Sequence, residues 1–377
     1  MTVAPVRRPG PVIRVTGRVI VNDQVELPEV WLADGVIAPE PPGRPADITL
    51  DGVALPGLVD VHCHIGLGAE GAVDPGTARA QAIADRDTGV LLIRDAGCPR
   101  RPYSTRWMDQ DPALPRLIRC GRHLARVKRY IRPLPREVEP DELPAAVERE
   151  AKAGDGWVKL VGDWIDRDLA VPDLAPLWPD QALSQAVARA HALGARVTTH
   201  VFSREAAAQA LRCGVDCLEH GTGLDAGLMA QAVTQGVAVV PTMLQRVNFG
   251  DIAASGRARY RVWADHLQRL YEARFSQALE LHQAGVLWLV GTDESTQIPH
   301  GQYGLELGLL AQAGIPAPAI VAAASYRTRA YLGVPGIEPG ASADLVVYPT
   351  DPRDGIGVMG RPLAVVLRGT VVAGEAL

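Results

Sequence analysis

The sequence predicts an α/β protein, a (β/α)₈ TIM barrel with a small β-sandwich domain formed by both termini. Two patterns in the 377 residues support this fold. Short apolar runs alternate with amphipathic stretches through the middle of the chain, which is typical of parallel strands covered by helices. Short β-type segments, separated by Gly, Pro and Asn-Asp breaks, occur near both ends.

The β-type segments at the two ends predict the smaller domain. They are residues 11–21, 25–37, 48–57, 343–349 and 363–374. Because the two groups flank a long middle section of different character, we expect 1–56 and 335–377 to form one small β domain together. Residues 57–334 would then form the barrel.

The middle section contains eight apolar runs, the number that a (β/α)₈ barrel requires. The runs are GLVDVHCH (57–64), GVLLIRDAG (89–97), RLIRCG (116–121), GWVKLVGD (156–163), ARVTTH (195–200), VDCLEHG (215–221), GVAVVPT (236–242) and VLWLVGTD (286–293). Residues 179–193, 204–213 and 257–284 are candidate helices between them. The same alternation is also compatible with an open doubly wound sheet, although no GxGxxG follows the first run.

Composition and charge exclude several classes of protein. The net charge of −5 and the pI near 6.0 give no global basic excess of the kind that nucleic-acid binding favours. No stretch is apolar enough for a signal sequence or a membrane span. Five cysteines without CxxC spacing indicate reduced thiols. We therefore expect a cytoplasmic protein with no membrane or nucleic-acid partner.

Polar residues end several of the apolar runs. His62 and His64 lie one residue apart, so in a strand they share a face and Cys63 points away. Further along the chain come Lys159, His200, His220 and Asp293. In a barrel the carboxyl ends of all strands meet at one face, so these six side chains would converge on one pocket.

Each of these residues also has a purely structural interpretation. A strand-end histidine can serve only as a hydrogen-bonding group, and Asp293 could cap a helix. A lysine inside an apolar strand, as at 159, must be paired, chemically modified or strongly shifted in pKa. The occurrence of all six together favours a metal site.

Five motifs and a C-terminal segment resemble the metal-dependent amidohydrolase superfamily, most closely its imidazolonepropionase-like and Xaa-Pro dipeptidase-like branch. They are LPGLVDVHCH, WVKLV, VTTH, LEHG, GTD and the C-terminal GIEPGASADLVVYPTDP. The resemblance implies a binuclear centre with two divalent metal ions. His62, His64 and Asp293 would hold one ion and His200 and His220 the other, with carboxylated Lys159 as the bridge.

The resemblance also implies the chemistry. Imidazole and carboxylate ligands favour Zn²⁺, with Mn²⁺, Fe²⁺ and Co²⁺ left open. A metal-activated hydroxide would cleave an amide-like C–N bond, with Asp293 as general base and then general acid. The substrate would be a small molecule, most simply a dipeptide or an N-acyl amino acid. Homo-oligomers are common among such proteins.

The loops after the strands suggest residues that contact the substrate. Residues 94–132 carry eleven Lys or Arg against three Asp or Glu. This excess predicts an anion-binding mouth of the pocket. The alternative is a basic surface that faces solvent or another subunit. The candidate substrate residues are Arg122, His123, Trp164, His300 and Tyr303. Residues 120–137 lack the Gly- and His-rich loop of dipeptidase-like relatives, and 155–168 lack their serine–glycine turn, which weakens the dipeptide interpretation.

Three alternative functions remain open. The first is a mononuclear cyclic-amide hydrolase or deaminase, although such relatives generally lack the lysine found here at 159. The second is a lactonase or esterase, which would use the same hydroxide. The third is a non-catalytic scaffold, which the presence of all six candidate ligands disfavours.

Overall fold

The computed structural model describes residues 10–98, 105–132, 134–295 and 297–375. Within these ranges the strands are β1 (Ile13–Ile20), β2 (Glu26–Ala33), β3 (Val36–Ile37), β4 (Ile48–Pro56), β5 (Leu58–Cys63), β6 (Leu67–Gly68), β7 (Gly71–Ala72), β8 (Val90–Asp95), β9 (Arg116–Arg119), β10 (Leu124–Arg126), β11 (Arg136–Val138), β12 (Trp157–Val161), β13 (Asp163–Asp166), β14 (Asp173–Pro176), β15 (Arg196–Val201), β16 (Cys217–His220), β17 (Ala238–Val240), β18 (Leu345–Tyr348), β19 (Ala364–Leu367) and β20 (Thr370–Ala373).

The α-helices of the same ranges lie mostly between the central strands. They are α1 (Pro75–Asp87), α2 (Leu143–Ala153), α3 (Asp180–Ala192), α4 (Arg204–Arg212), α5 (Ala226–Gln235), α6 (Met243–Val247), α7 (Phe249–Gly256), α8 (Arg261–Glu272), α9 (Arg274–Gln283), α10 (Tyr303–Gln312), α11 (Ala317–Ala324) and α12 (Tyr326–Leu332). Short 3₁₀ turns span Arg106–Gln110, Pro140–Glu142 and Ile356–Gly360.

Both ends of the chain build one sheet, as the sequence predicts. Its strand order is β20-β19-β18-β4-β1-β2-β3, with β4 parallel to β1 and antiparallel to β18. The sheet folds back on itself, because Val36 of β3 pairs with Ser342 just before β18. Alternate apolar residues such as Ile13, Val15 and Leu345 face a shared core. This is the small β domain formed by both termini.

The central strands form a closed ring of eight parallel segments. Parallel pairing runs from β5 to β8 and β9, and from β10 through β12, β15 and β16 to β17. β9 and β10 are the two halves of the third segment. The eighth segment, residues 286–293, pairs with β17 through Val239 and Trp288 and leads into the Cys63–Glu294 bridge to β5. Both edges of the parallel strands are therefore paired, which favours the barrel over the open doubly wound sheet.

One predicted helix is divided in two. The sequence pattern over 257–284 predicts one helix, but α8 ends before Ala273 and α9 begins after it. Ala273 has a ψ of −2°, which turns the backbone out of the helical path. The guanidinium of Arg274 donates a hydrogen bond to the carbonyl of Tyr271 at 2.7 Å, satisfying a group that the helix end leaves open.

The described helices are all too short or too polar to cross a lipid bilayer.

Ring closure requires close backbone contact at Gly291 in the eighth segment. A Cβ atom at this position would lie 2.7 Å from the Cβ of His62 and 2.7 Å from Cγ1 of Val240. Both neighbours belong to adjacent strands, so they have little room to move. Glycine is therefore the residue that allows the eighth segment to close against β5.

Replacing Gly291 with alanine should lower the free energy of unfolding by about 1–3 kcal/mol, the usual cost of overpacking a core. Urea denaturation measures the change. The matched control is Gly308→Ala in α10, where an added Cβ meets nothing within 4 Å. A Gly291→Ala protein as stable as the wild type would show that the strands can separate at no cost.

Candidate metal centre and active site

The six candidate ligands converge at the carboxyl ends of the barrel strands. All of them line one cavity of about 250 Å³. They come from β5 and the residue after it, from β12, β15 and β16, and from the end of the eighth segment. The residues are His62, His64, Lys159, His200, His220 and Asp293. The convergence expected from strand order is therefore present in the structure.

Asp293 lies between the two histidines of the first strand. Its Oδ1 atom is 3.1 Å from Nε2 of His62 and 3.2 Å from Nε2 of His64. Nζ of Lys159 is 3.3 Å from the same His62 nitrogen. Two imidazoles, a carboxylate and an amine are thus linked by contacts of 3.1–3.3 Å.

The two remaining histidines form a second pair beside the first group. Nε2 of His220 lies 3.0 Å from Nδ1 of His200. Donor atoms of His62, His220 and Asp293 all lie within 4.8 Å of one another, close enough to share one ion. Nε2 of His200 points the other way, 3.7 Å from Oδ1 of the buried Asp163. Nδ1 of His200 and Nε2 of His220 are therefore the two ring nitrogens that could bind one metal ion.

Contacts behind the imidazole rings orient them. Nδ1 of His64 lies 2.8 Å from the carbonyl oxygen of Gly97, to which it can only donate. Nδ1 of His220 lies 2.7 Å from the hydroxyl of Thr242, which itself donates to the carbonyl of Pro241. In both rings Nδ1 therefore carries the proton, and the lone pair of Nε2 faces the cavity.

His62 is held by a buried carboxylate that the sequence analysis missed. Oε2 of Glu219 lies 2.9 Å from Nδ1 of His62. The other oxygen lies 2.6 Å from the guanidinium of Arg94, a residue of β8 that is fully buried. Arg94 also donates to the carbonyl of Val61 at 2.8 Å. The available signal was a charged residue within an apolar run, which had already marked Lys159.

Two of the candidate ligands adopt a strained backbone conformation. His220 has a φ of +66° and Asp293 a φ of +60°, values in the left-handed region that non-glycine residues rarely adopt. Thr242, which contacts His220, has a φ of +48°. Such strain persists only where the surrounding structure holds it, and it concentrates at functional sites.

Burial shifts the pKa values of the site. It lowers the pKa of the Lys159 ammonium, and together with the Lys159 charge it lowers the pKa of His200 to about 3. Burial opposes ionisation of Asp293, but the neighbouring His62 and His64 hold the pKa of its carboxyl well below the usual range. The cavity at neutral pH therefore contains a neutral His200 and an ionised carboxylate.

Two of the five candidate substrate residues lie at the cavity. His123 and Trp164 are part of its wall. Neither ring nitrogen of His123 has a hydrogen-bond partner within the described ranges, although the ring is buried. Burial and the adjacent His64 hold the pKa of His123 well below its usual value. A neutral imidazole with one donor and one acceptor is thus available to a ligand.

The other three candidates are placed elsewhere. The guanidinium of Arg122 donates to the carbonyls of Leu134 and Pro135, outside the described cavity wall. The hydroxyl of Tyr303 donates to the carbonyl of Val59 at 2.7 Å, within the core. His300 lies behind β5, where its Nδ1 is 3.0 Å from Asp85. The structure therefore gives no support to cavity contacts by these three residues.

The cavity has an aromatic and aliphatic wall that the sequence analysis largely missed. Trp164 stacks edge-on with Tyr130 at 4.7 Å, and Phe202 with Phe249 at 4.8 Å, between ring centroids. Other apolar wall residues are Ile131, Val161, Leu174, Ile252, Trp263 and Leu267. They come from five separate elements and loops, so no local pattern links them. The described wall offers a large apolar surface beside the polar cluster.

The chain matches a known protein family and is similar to several known proteins. Residues 168–372 match the model of the amidohydrolase family. Uncharacterized proteins of Mycobacterium bovis and Mycobacterium tuberculosis are 47% identical to the chain over 343 residues, covering 90% of this chain and 91% of each relative. No activity is stated in their names.

Solved structures share the fold at low sequence identity. A Xaa-Pro dipeptidase with bound methionine has a TM-score of 0.78 and 20% identity, covering 96% of this chain and 100% of the other. Ochratoxinase of A. niger also has a TM-score of 0.78, with 19% identity over 97% of this chain and 96% of the other. The family suggested by the sequence motifs is thus confirmed by the family model, and these structures share its fold.

If the cluster binds a divalent metal ion, replacing Glu219 with glutamine should weaken that binding about 10- to 100-fold, because a neutral amide supports the ring of His62 less well than a carboxylate. Competition with a chelator of known affinity measures the change. Glu205→Gln, an exposed position in the first turn of α4, is the matched control. Equal zinc affinity in the two variants would contradict the orienting role.

Proposed function

Because this chain belongs to the amidohydrolase family and is a metal-dependent hydrolase of C–N bonds, we propose that it cleaves the amide bond of a dipeptide or N-acyl amino acid with a large apolar group. The observation that carries the proposal is the meeting of Lys159 with four histidines and Asp293 beside an apolar wall. The lysine, histidine and aspartate side chains suit a metal-assisted reaction, and the apolar wall suits an apolar substituent of the substrate.

The donor set fits two divalent ions. His62, His64 and Asp293 would hold one, and His200 and His220 the other. Imidazole and carboxylate donors suit Zn²⁺, and Nδ1 of His200 and Nε2 of His220 lie 3.0 Å apart, close enough to bind the same ion. When bound, the ions supply a hydroxide at neutral pH and polarise the scissile carbonyl.

Lys159 would bridge the ions in its carboxylated form. An ammonium group cannot bind a cation, but a neutral amine adds to CO₂, forms a carbamate and releases one proton. Burial lowers the pKa of Lys159 and so raises the neutral fraction at any given pH. The resulting carbamate has two oxygens and a negative charge, which suit a bridging ligand.

Asp293 would move the proton. Its carboxylate is ionised at neutral pH and only partly exposed, with 15% of the side chain accessible. It can accept the proton of the attacking water and then donate it to the leaving nitrogen. The left-handed backbone at this residue and the contacts with His62 and His64 hold the carboxylate in place.

His123 would orient the substrate. Its neutral ring can donate one hydrogen bond to a carbonyl or carboxylate oxygen and accept one from an N–H group. The apolar part of the substrate would lie against Trp164 and Phe249. The apolar residues of the described wall favour selection by an apolar group.

Removal of the Lys159 amine should lower metal content below two ions per chain. Lys159→Ala is compared with Lys152→Ala, which changes an exposed lysine of α2. Native mass spectrometry should show the mass of one CO₂ on the wild type and on Lys152→Ala only. Because protonation blocks carbamate formation, this mass should diminish as the pH falls. Full metal occupancy in Lys159→Ala would exclude the bridging role.

A substrate panel tests the proposed reaction. Wild-type protein should hydrolyse dipeptides or N-acyl amino acids with aromatic or branched aliphatic groups faster than glycine analogues. Asp293→Asn should lower kcat by about 10²- to 10⁴-fold, since a general acid–base group is lost. Liquid chromatography of the released amino acid measures turnover.

Two further variants test whether the substrate contacts the apolar cavity wall or the basic residues outside it. Trp164→Ala should raise KM for the apolar substrates, whereas Arg122→Ala should leave KM unchanged because its guanidinium binds main-chain carbonyls outside the described wall. Turnover of lactones or cyclic amides without turnover of linear amides would overturn the proposed substrate class.

A further inference from the structure

A second cluster of potential ligands lies on the opposite side of the strands that carry the candidate active site. Strand alternation directs Cys63 and Glu294 away from the cavity. Asp85 of α1 and His300 of the loop after the eighth segment meet them there. Donor atoms of all four residues lie within 4.8 Å of one another. We call this group the Cys63 cluster.

All four side chains are removed from solvent. Cys63 is fully buried, Asp85 and Glu294 are 2% and 1% exposed, and the His300 side chain is 5% exposed. None of the four takes part in the reaction proposed above. Burial of so many ligand-type groups in one place therefore needs a separate explanation.

Four of the six ligand separations in the cluster, from 3.0 to 3.7 Å, lie close to the edges of a tetrahedron around zinc. Sγ of Cys63 lies 3.5 Å from Oδ2 of Asp85 and 3.7 Å from Nδ1 of His300. Nδ1 of His300 lies 3.0 Å from Oδ2 of Asp85 and 3.7 Å from Oε2 of Glu294. Zn–S bonds near 2.3 Å and Zn–N or Zn–O bonds near 2.0–2.1 Å require ligand separations of about 3.3–3.6 Å.

Each carboxylate presents one oxygen to the centre and has its other oxygen bonded to the main chain. The N–H of Gly301 donates to Oδ1 of Asp85 at 3.0 Å, and the N–H of Gln302 donates to Oε1 of Glu294 at 2.6 Å. Supporting bonds of this kind orient monodentate metal ligands. Oδ2 and Oε2 remain directed at Sγ and Nδ1.

The charges of the cluster also favour a cation. Two carboxyl groups and a thiol lie together, and within the described ranges the ion pairs of Asp85 and Glu294 are made by His300 alone. Buried carboxylates without compensation are costly, so they are neutralised by protons or by a metal. A divalent ion would compensate both carboxylates at once.

We propose that the Cys63 cluster is a structural zinc site, separate from the active site, with Sγ, Oδ2 of Asp85, Oε2 of Glu294 and Nδ1 of His300 as ligands. Four protein ligands leave no open position, which is the arrangement of structural rather than catalytic zinc. Binding releases the thiol proton and any proton that the carboxyl pair shares. The ion would join α1 and the 294–302 loop to the strand ends that bear His62, His64 and Asp293.

Cobalt spectroscopy tests this site independently of turnover. The described wall of the active-site cavity contains no cysteine, so a thiolate-to-cobalt charge-transfer band would report on sulfur ligation elsewhere. Wild-type protein loaded with Co²⁺ should show the band, and Cys63→Ser should lose it together with one equivalent of bound metal. Cys213→Ser, another buried cysteine, located at the end of α4, is the matched control and should retain both.

A wild-type cobalt spectrum without the band would overturn the proposal, as would an equal band in Cys63→Ser. The cluster would then be a hydrogen-bonded carboxyl pair without metal. If Cys63→Ser does not fold, zinc X-ray absorption of the wild type decides the question. A Zn–S distance of about 2.3 Å supports the site, and its absence overturns it. Loss of catalysis alone bears only on the function proposed above.

Discussion

The closure of the barrel between β5 and the eighth segment is the constraint on which the remaining structure depends. Val61 donates to the carbonyl of Val290 at 3.0 Å, Asp293 to that of His62 at 2.6 Å, and His64 to that of Glu294 at 2.9 Å. This ladder sets the register that brings the Asp293 carboxylate onto the histidine pair. The same register fixes which side chains point away from the cavity, so the Cys63 cluster depends on the same strand pairing.

Charges buried beneath the cavity are the second determinant of the site. The Arg94–Glu219 pair lies inside the barrel, with the guanidinium 4.4 Å from the ring centroid of Trp157. A buried ion pair adds little net stability, because desolvation offsets its attraction. Its effect here is geometric: Arg94 keeps Glu219 ionised and in place, and Glu219 keeps His62 oriented. The interior of the barrel thus contains a buried ion pair that orients His62.

The outer part of the cavity differs in character from its base. The base is formed by strand ends and holds most of the charged and imidazole groups, whereas the wall is formed mainly by the β13–β14 hairpin, by loops and by α7 and α8. Phe202 contacts both parts, since its ring lies 4.2 Å from that of His200 and 4.8 Å from that of Phe249. In the proposed function, reaction chemistry and substrate selection would therefore be carried by separate parts of the cavity. Variation in the wall would then change the substrate without changing the base.

The sequence alone determined the barrel, the terminal β domain and the six residues that converge at the cavity. Strand periodicity and the rule that parallel strand ends share one face are local and topological properties, which residue order can express. The same reasoning also marked His123 and Trp164. Glu219 could have been noticed as a charged residue within an apolar run, but its partner could not be predicted, because the sequence does not show which histidine ring a buried carboxylate contacts.

Only the tertiary structure decided which loop residues reach the cavity. The positions of Arg122 and Tyr303 after predicted strands suggested contact with the substrate. In the structure Arg122 donates to the carbonyl of Pro135 outside the cavity wall, and Tyr303 donates to the carbonyl of Val59 in the core. His300 met Asp85, which is 215 residues away in the chain. Contacts of such range depend on how α1, the loops and the strands pack together, and no local sequence pattern specifies that packing.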